Sequence, residues 1–153
     1  EGWTIPAQPG ELRDLYADWE PEVQTMIAAA EAVPHFRWAL NARQPLTSWI
    51  ADDRVTLLGD AAHAMTPFLG HGAACAIEDA VVLARALAAS ATPEEGLHRY
   101  QAGRIERTTF IQAESNANAD RMQGQDTNLF GLGELRNEET LGLFDYDCRT
   151  VAV

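Results

Sequence analysis

The sequence predicts an α/β fold that is mostly helical, and three observations predict it. A short, β-branched apolar run, Val55 to Leu58, ends in the pair Gly59-Asp60. A loop carrying Pro67, Gly70 and Gly72 follows, and a helix then opens on small residues. Two stretches of helical periodicity, 72–90 and 92–122, fill most of the rest of the centre of the chain. A strand that ends in Gly-Asp and feeds a helix places its aspartate at the carboxyl edge of a sheet, where open α/β folds bind ligands.

The elements follow in order. "PGELRDLYADW" and "PEVQTMIAAAEA" read as two short helices, the second with Pro21 in its first turn. "HFRWALNAR" (35–43) alternates Phe36, Trp38 and Leu40 with other residues, the pattern of a half-buried strand. "PLTSW" and "ADDR" read as connections, with Asp52-Asp53 a turn. "RVTLLGD" reads as a strand buried on both faces. Residues 72–90 form a helix with Ile77, Val81, Ala84 and Ala88 on one side and Glu78 and Arg85 on another. The next helix opens with Thr92 and Glu95 as a capping box and Pro93 in the first helical position. Leu97, Tyr100, Thr108, Ile111, Ser115, Ala119 and Met122 share its inner stripe, and Gly96 and Gly103 weaken it by about 1 kcal/mol each relative to Ala. After Gly124 the chain turns glycine-rich and irregular, with one short helix near "GELRNEE".

Composition narrows the partners. The 153 residues are 46% hydrophobic, enough for a core, and carry a net charge of -12. All 11 positive charges are arginines, set against 23 acids, which argues against nucleic acid or an anionic membrane as partner. Two cysteines, Cys75 and Cys148, do not make a disulfide scaffold, so a reducing cytoplasmic setting is expected. No apolar run approaches a membrane span, and "EGWTIPAQPGE" has neither the features of a signal peptide nor an initiator Met.

The chemistry of residues 59–74 is that of a two-part ligand site. Gly59 lets a ligand approach the backbone, and the Asp60 carboxylate accepts hydrogen bonds from ligand hydroxyls. The helix starting near Gly72 offers unpaired N–H groups and the positive end of its dipole. Gly70, Gly72, Ala73 and Ala74 leave those amides uncovered for an electron-rich planar edge. A flavin nucleotide has both ends: a polyhydroxyl ribityl chain and a pyrimidine ring.

Plainer readings stand beside these. Taken alone, Asp60 also reads as a helix N-cap or turn residue, as most strand-end aspartates do; the surrounding 22 residues favour the ligand role. His63 reads as a packed residue bonded to backbone, and His71 as either a loop histidine or a member of the flavin or substrate site. Glu78 and Asp79 read as a solvated helix face or as charges favoured by the dipole. Cys75 reads as a small buried apolar residue, and Trp38, Trp49 and Phe68 as core, with Phe68 beside Pro67 also a candidate pocket wall.

"RVTLLGDAAHAMTPFLGHGAACAIEDA" resembles the second flavin motif of the aromatic-ring hydroxylases, the single-component FAD-dependent monooxygenases, nearest to the salicylate and hydroxynicotinate hydroxylase branch. "WALNARQPLTSW" and "LHRYQAGRIER" are similar to its flanking strand and helix. The resemblance implies the para-hydroxybenzoate hydroxylase type of Rossmann-like fold, FAD as cofactor, NADH or NADPH as co-substrate and a small aromatic substrate. It implies that Asp60 binds the ribityl hydroxyls, that Pro67 lies by the flavin face, and that the amides of Gly72, Ala73 and Ala74 hold the pyrimidine edge.

The departures set an expectation about extent. The strand–GxGxxG–helix unit of this family is absent, "GLGELR" (131–136) being a near miss with Arg136 in place of the third glycine, and no Asp-Gly pair occurs. The chain therefore resembles roughly the last third of a hydroxylase, which needs the N-terminal part of the same polypeptide as its partner. On that view residues 1–43 end the substrate-binding domain, 44–123 complete the FAD-binding domain, and 124–153 form a tail packed on it. The contacts that choose the aromatic ring are expected upstream of Glu1, no catalytic residue is assigned here, and the piece alone is expected to be inactive and to self-associate, a homo-oligomer through exposed sheet edges. Two other classes compete: a metal-dependent hydrolase using Asp60, His63 and His71, and a non-catalytic binding fragment.

Overall fold

The computed structural model describes residues 2, 4–123 and 137–153, with side chains excepted at 120–123. The near miss at 131–136 and most of the short helix expected at 133–139 lie outside the described residues. The chain divides into two compact units, residues 1–40 and 41–153.

The first unit holds strand β1 (Ile5–Pro6), helices α1 (Glu11–Leu15) and α2 (Pro21–Ala30), and strand β2 (Phe36–Arg37), which pairs antiparallel with β1. Pro21 opens α2, where its missing N–H costs nothing. An Arg13–Glu31 ion pair of 2.8 Å links the start of this helical pair to its end. The half-buried strand expected over 35–43 shrinks to two residues, and Trp38, expected in a core, is 72% exposed. Phe36 and Leu40 are exposed as well. Their alternation is that of a sheet face, but among the described residues of this unit the strand beside them is the two-residue β1, too short to support a layer.

In the second unit, β3 (Ile50–Ala51) and β4 (Val55–Thr56) form an antiparallel hairpin. Asp52 and Asp53 both have positive φ, 50° and 53°, and Arg54 N–H donates to the Ala51 carbonyl at 3.1 Å. This is the two-residue turn whose twist suits a hairpin, and His98 meets the Asp53 carboxylate at 2.8 Å. Two expectations change. "PLTSW" stays a connection, while Ala51 of "ADDR" joins Ile50 in strand β3, and β4 is not buried on both faces, for Val55 is 56% exposed on a sheet of two strands among the described residues.

Helix α3 (Asp60–His63), a 3₁₀ turn (Pro67–Leu69), α4 (Gly72–Ala89) and α5 (Pro93–Gln123) complete the central run. Half of the capping box forms, Thr92 Oγ1 accepting from Glu95 N–H at 3.2 Å, while the Glu95 carboxylate accepts from Ala91 N–H, one residue before the cap, at 3.0 Å. Helices α4 and α5 pack against each other. Val82, Ala86 and Tyr100 join Trp49 and Ala62 in one cluster, and Leu69, Cys75, Ile111 and Leu143 form a second. Gly96 permits this approach, since a Cβ there would meet Leu87 Cδ2 at 2.8 Å and Leu87 Cα at 3.0 Å.

The α5 stripe buries Leu97, Tyr100, Thr108, Ile111 and Ser115 as expected, with Arg104, Gln112 and Asn118 besides. The face of α4 differs from expectation. Cys75, Asp79, Val82 and Ala86 are its buried residues, while Ile77 is 67% exposed and Ala84 and Ala88 are exposed too. The difference is a rotation of the helix that brings a carboxylate inward, because α5 presents an arginine to receive it. Residues 137–153 run back over the pair through a 3₁₀ turn (Leu143–Asp145), with Cys148, Val151 and Val153 packed on the first cluster.

Candidate functional site

A cleft of about 560 Å³ opens between α3 and the start of α4, lined by Asp60, Met65, Thr66, Pro67, Gly70, Gly72, Ala73 and Ala76. Asp60 stands exposed at the head of α3, delivered there by Gly59, whose φ of 59° and ψ of -139° lie in a region that favours glycine. On the other side α4 begins with His71 as its N-cap and no side chain capping it, and its first turn holds no acid. The N–H groups of Gly72, Ala73 and Ala74 thus lack an intrahelical partner at the positive end of an 18-residue helix. The floor is made of small residues, so a planar group can lie close to the backbone.

The wall carrying Pro67 is held from behind by α5. Ser115 Oγ donates to the Thr66 carbonyl at 2.6 Å, Thr66 N–H donates to Asn116 Oδ1 at 3.0 Å, and Gln112 Nε2 donates to the carbonyls of Arg43 and Ala64 at 2.9 and 2.8 Å. Irregular backbone needs partners once buried, and these polar residues inside the α5 stripe provide them.

Beneath the cleft lies a buried ionic network. Asp79 Oδ2 accepts from Gly59 N–H at 3.1 Å and from His63 Nε2–H at 2.7 Å, and Asp79 Oδ1 accepts from Arg104 Nε–H at 2.7 Å. Arg104 also meets Glu78 at 2.7 Å, and Arg107 grips Glu78 with two bonds of 3.0 and 2.9 Å. Burial by itself would raise the Asp79 carboxyl; the bonds from His63, Arg104 and the Gly59 amide outweigh it and hold it below the ordinary carboxylate range. Glu78 follows the same pattern, burial being outweighed by Arg107 and Arg104. Burial pushes the Cys75 thiol up to about 11.

Of the residues singled out from the sequence, Asp60, Pro67, Gly70, Gly72 and Ala73 line this one cleft. Ala74 sits half-buried in the same first turn of α4. Gly59 is buried and does not line it; a Cβ there would meet Ala76 Cβ at 3.3 Å. His71 is buried against Phe144, ring centroids 6.2 Å apart, and Phe68 is half-buried outside the lining. His63 is packed as expected, but its partner is a carboxylate, not backbone. Asp79, read as a dipole or surface charge, is instead the centre of the network. Its signal was its place on the stripe of Cys75, Val82 and Ala86; Arg104, 25 residues away, carries no signal that pairs it. Among the described residues no three His, Cys, Asp or Glu side chains converge as a metal site, and with His63 committed to Asp79 nothing supports the hydrolase reading.

This architecture defines a flavin-binding class, and comparison with known proteins agrees: the FAD binding domain family matches residues 6–115, so the chain belongs to it. It is 44% identical over 116 residues to 3-amino-4-hydroxybenzoate 2-monooxygenase PtmB3 of Streptomyces platensis, covering 75% of this chain and 28% of that protein. It is 40% identical over 115 residues to 6-hydroxynicotinate 3-monooxygenase of Pseudomonas fluorescens, covering 71% of this chain and 28% of that protein. Among solved structures it resembles Klebsiella pneumoniae HpxO complexed with FAD and uric acid (TM-score 0.72, 30% identity, 90% of this chain and 36% of that one). It also resembles a salicylate hydroxylase substrate complex (TM-score 0.76, 26% identity, 97% and 37%). The fold is the FAD-binding fold of the salicylate hydroxylase type, and the chain spans under a third of the length of these two curated relatives.

Proposed function

We propose that this chain supplies the flavin-and-ribityl end of the FAD site in a monooxygenase that hydroxylates a small aromatic or heteroaromatic ring. The observation that carries the reading is the cleft whose lining brings Asp60 together with the uncapped start of α4. The residues fit FAD: an acceptor for ribityl hydroxyls, a floor without bulky side chains, and free amides for the pyrimidine edge. In this reading Asp60 binds the ribityl chain, Gly72, Ala73 and Ala74 hold the ring edge through their N–H groups, and Pro67 with Gly70 bounds the ring face. Gly59 sets the direction of Asp60. Phe68 and His71, behind the loop, are candidates for the substrate side.

When bound, FAD supplies the redox chemistry, passing two electrons from NADH or NADPH to O2 so that one oxygen atom enters the ring and the other leaves as water. The chain's own part is to orient and to exclude solvent. Uncovered amides at a helix start favour negative charge on the ring edge and cost no reorganisation at the moment of reaction. The relatives named for hydroxybenzoate and hydroxynicotinate substrates support an electron-rich ring as substrate class.

Residues 1–43 are proposed to end a substrate-binding domain, 44–123 to complete the FAD-binding domain and 124–153 to pack on it. Among the described residues no helix is long and apolar enough to cross a membrane, and both cysteines are free, which suits a cytoplasmic protein.

Asp60→Ala in the FAD-loaded protein tests the reading. Loss of charge-assisted bonds costs about 1.5–3 kcal/mol, roughly ten- to hundredfold in the FAD dissociation constant. An unchanged constant with an intact circular dichroism spectrum overturns the assignment.

A further inference from the structure

We propose that Asp79 is a positioning residue of the flavin site, holding the Gly59–Asp60 corner at the angle from which Asp60 reaches the cleft. The proposal rests on the FAD reading above. Asp79 itself does not line the cleft, and it is 0% exposed. Its Oδ2 takes the Gly59 amide and the His63 ring, so one oxygen ties down the residue before α3 and the last residue of α3. That helix is four residues long and has no side-chain cap, far too short to hold its own shape. The tether itself cannot swing, because Oδ1 is fixed by Arg104, which is buried and held in turn by Glu78.

Three donors converge on the group: an amide N–H, an imidazole N–H and a guanidinium N–H. Only an ionised carboxylate accepts all three, since asparagine would turn its own NH₂ toward one of them. Stability alone gives no reason for so much buried charge, because apolar residues of similar volume commonly serve as well. Fixing the direction of one amide is something an apolar residue cannot do.

The test is a double-mutant cycle on FAD binding by the protein that carries this chain. Asp79→Asn should raise the FAD dissociation constant about tenfold, the scale of one lost charged hydrogen bond. If it acts through Asp60, adding it to Asp60→Ala should change the constant by less than about twofold. Gly96→Ala, which crowds the α4–α5 crossing and leaves the residues of the network in place, should lower Tm and leave FAD affinity within about twofold. Should Asp79→Asn not fold, His63→Leu removes one donor from the same oxygen and enters the same cycle. Equal factors in both backgrounds, or a Gly96→Ala loss that matches Asp79→Asn, overturn the proposal and leave the FAD reading standing. Wild-type protein that binds no FAD, or Asp60→Ala with unchanged affinity, overturns that reading and this one with it.

Discussion

At the scale of single residues, charge placement makes stability depend on pH. Asp79 and Glu78 are both held below their ordinary values of 3.8 and 4.5 in the folded chain. A depressed carboxyl binds fewer protons folded than unfolded, so its contribution is complete above the unfolded value and is lost as pH falls through the folded one. Unfolding followed by circular dichroism should therefore show the contribution of these two carboxyls complete above about pH 4.5 and lost as pH falls further. Asp79→Asn should blunt that loss, and an unblunted acid transition in the variant would place the responsible carboxyls elsewhere. The residues of the cleft were legible because glycine, proline and a strand-end aspartate carry their chemistry locally. Asp79 was not, because its identity as a tether depends on Arg104 and His63 arriving from other segments.

At the scale of elements, Gly96 separates intrinsic helix preference from packing. Propensity alone says that Gly96→Ala stabilises α5 by about 1 kcal/mol. A methyl there meets Leu87 Cα at 3.0 Å, and backbone cannot step aside as a side chain can. The expected outcome is a loss of about 1–3 kcal/mol, the usual scale of overpacking, measured as a lower urea midpoint with the m-value unchanged. A raised midpoint would mean that α4 and α5 have slack at this crossing. Both long helices could be read from their periodicity and α5 from its Thr92–Glu95 box, signals confined to one stretch of chain. The orientation of α4 could not, because a stripe built only from Ile77, Val81, Ala84 and Ala88 gives no weight to an inward acid. The strand expected at 35–43 failed for the complementary reason: alternation describes a face, and a face becomes buried only when another layer covers it.

For the molecule as a whole, large apolar side chains remain on the surface of each unit, among them Trp19, Met26, Phe36 and Trp38 in the first and Val55, Ile77 and Phe144 in the second. Exposed apolar area on this scale seeks a partner. On the proposed reading the cleft would take only one end of a two-ended cofactor, and the pyrophosphate of such cofactors is ordinarily held by a glycine turn at a helix start. Purified by itself, the 153-residue chain should bind FAD at least about tenfold more weakly than the longer polypeptide that carries it, the scale of one lost anchoring contact. It should show no substrate-stimulated NAD(P)H oxidation and should elute as mixed oligomers. A monodisperse monomer with tight stoichiometric FAD and turnover would show that these residues are sufficient.

The two cysteines also make the chain report on its own opening. Cys75 is sealed between α4, α5 and the returning segment at Leu143, with its thiol pushed up to about 11, whereas Cys148 is half-buried and is not held in that core. Only thiolate reacts with maleimide or iodoacetamide, and only where the reagent can reach it. Native protein should accordingly gain a single label at Cys148 by mass spectrometry and acquire the second only when α4 and α5 separate. The rate of that second addition then follows the transient parting of α4 from α5, a clock read in mass units on the otherwise unmodified chain.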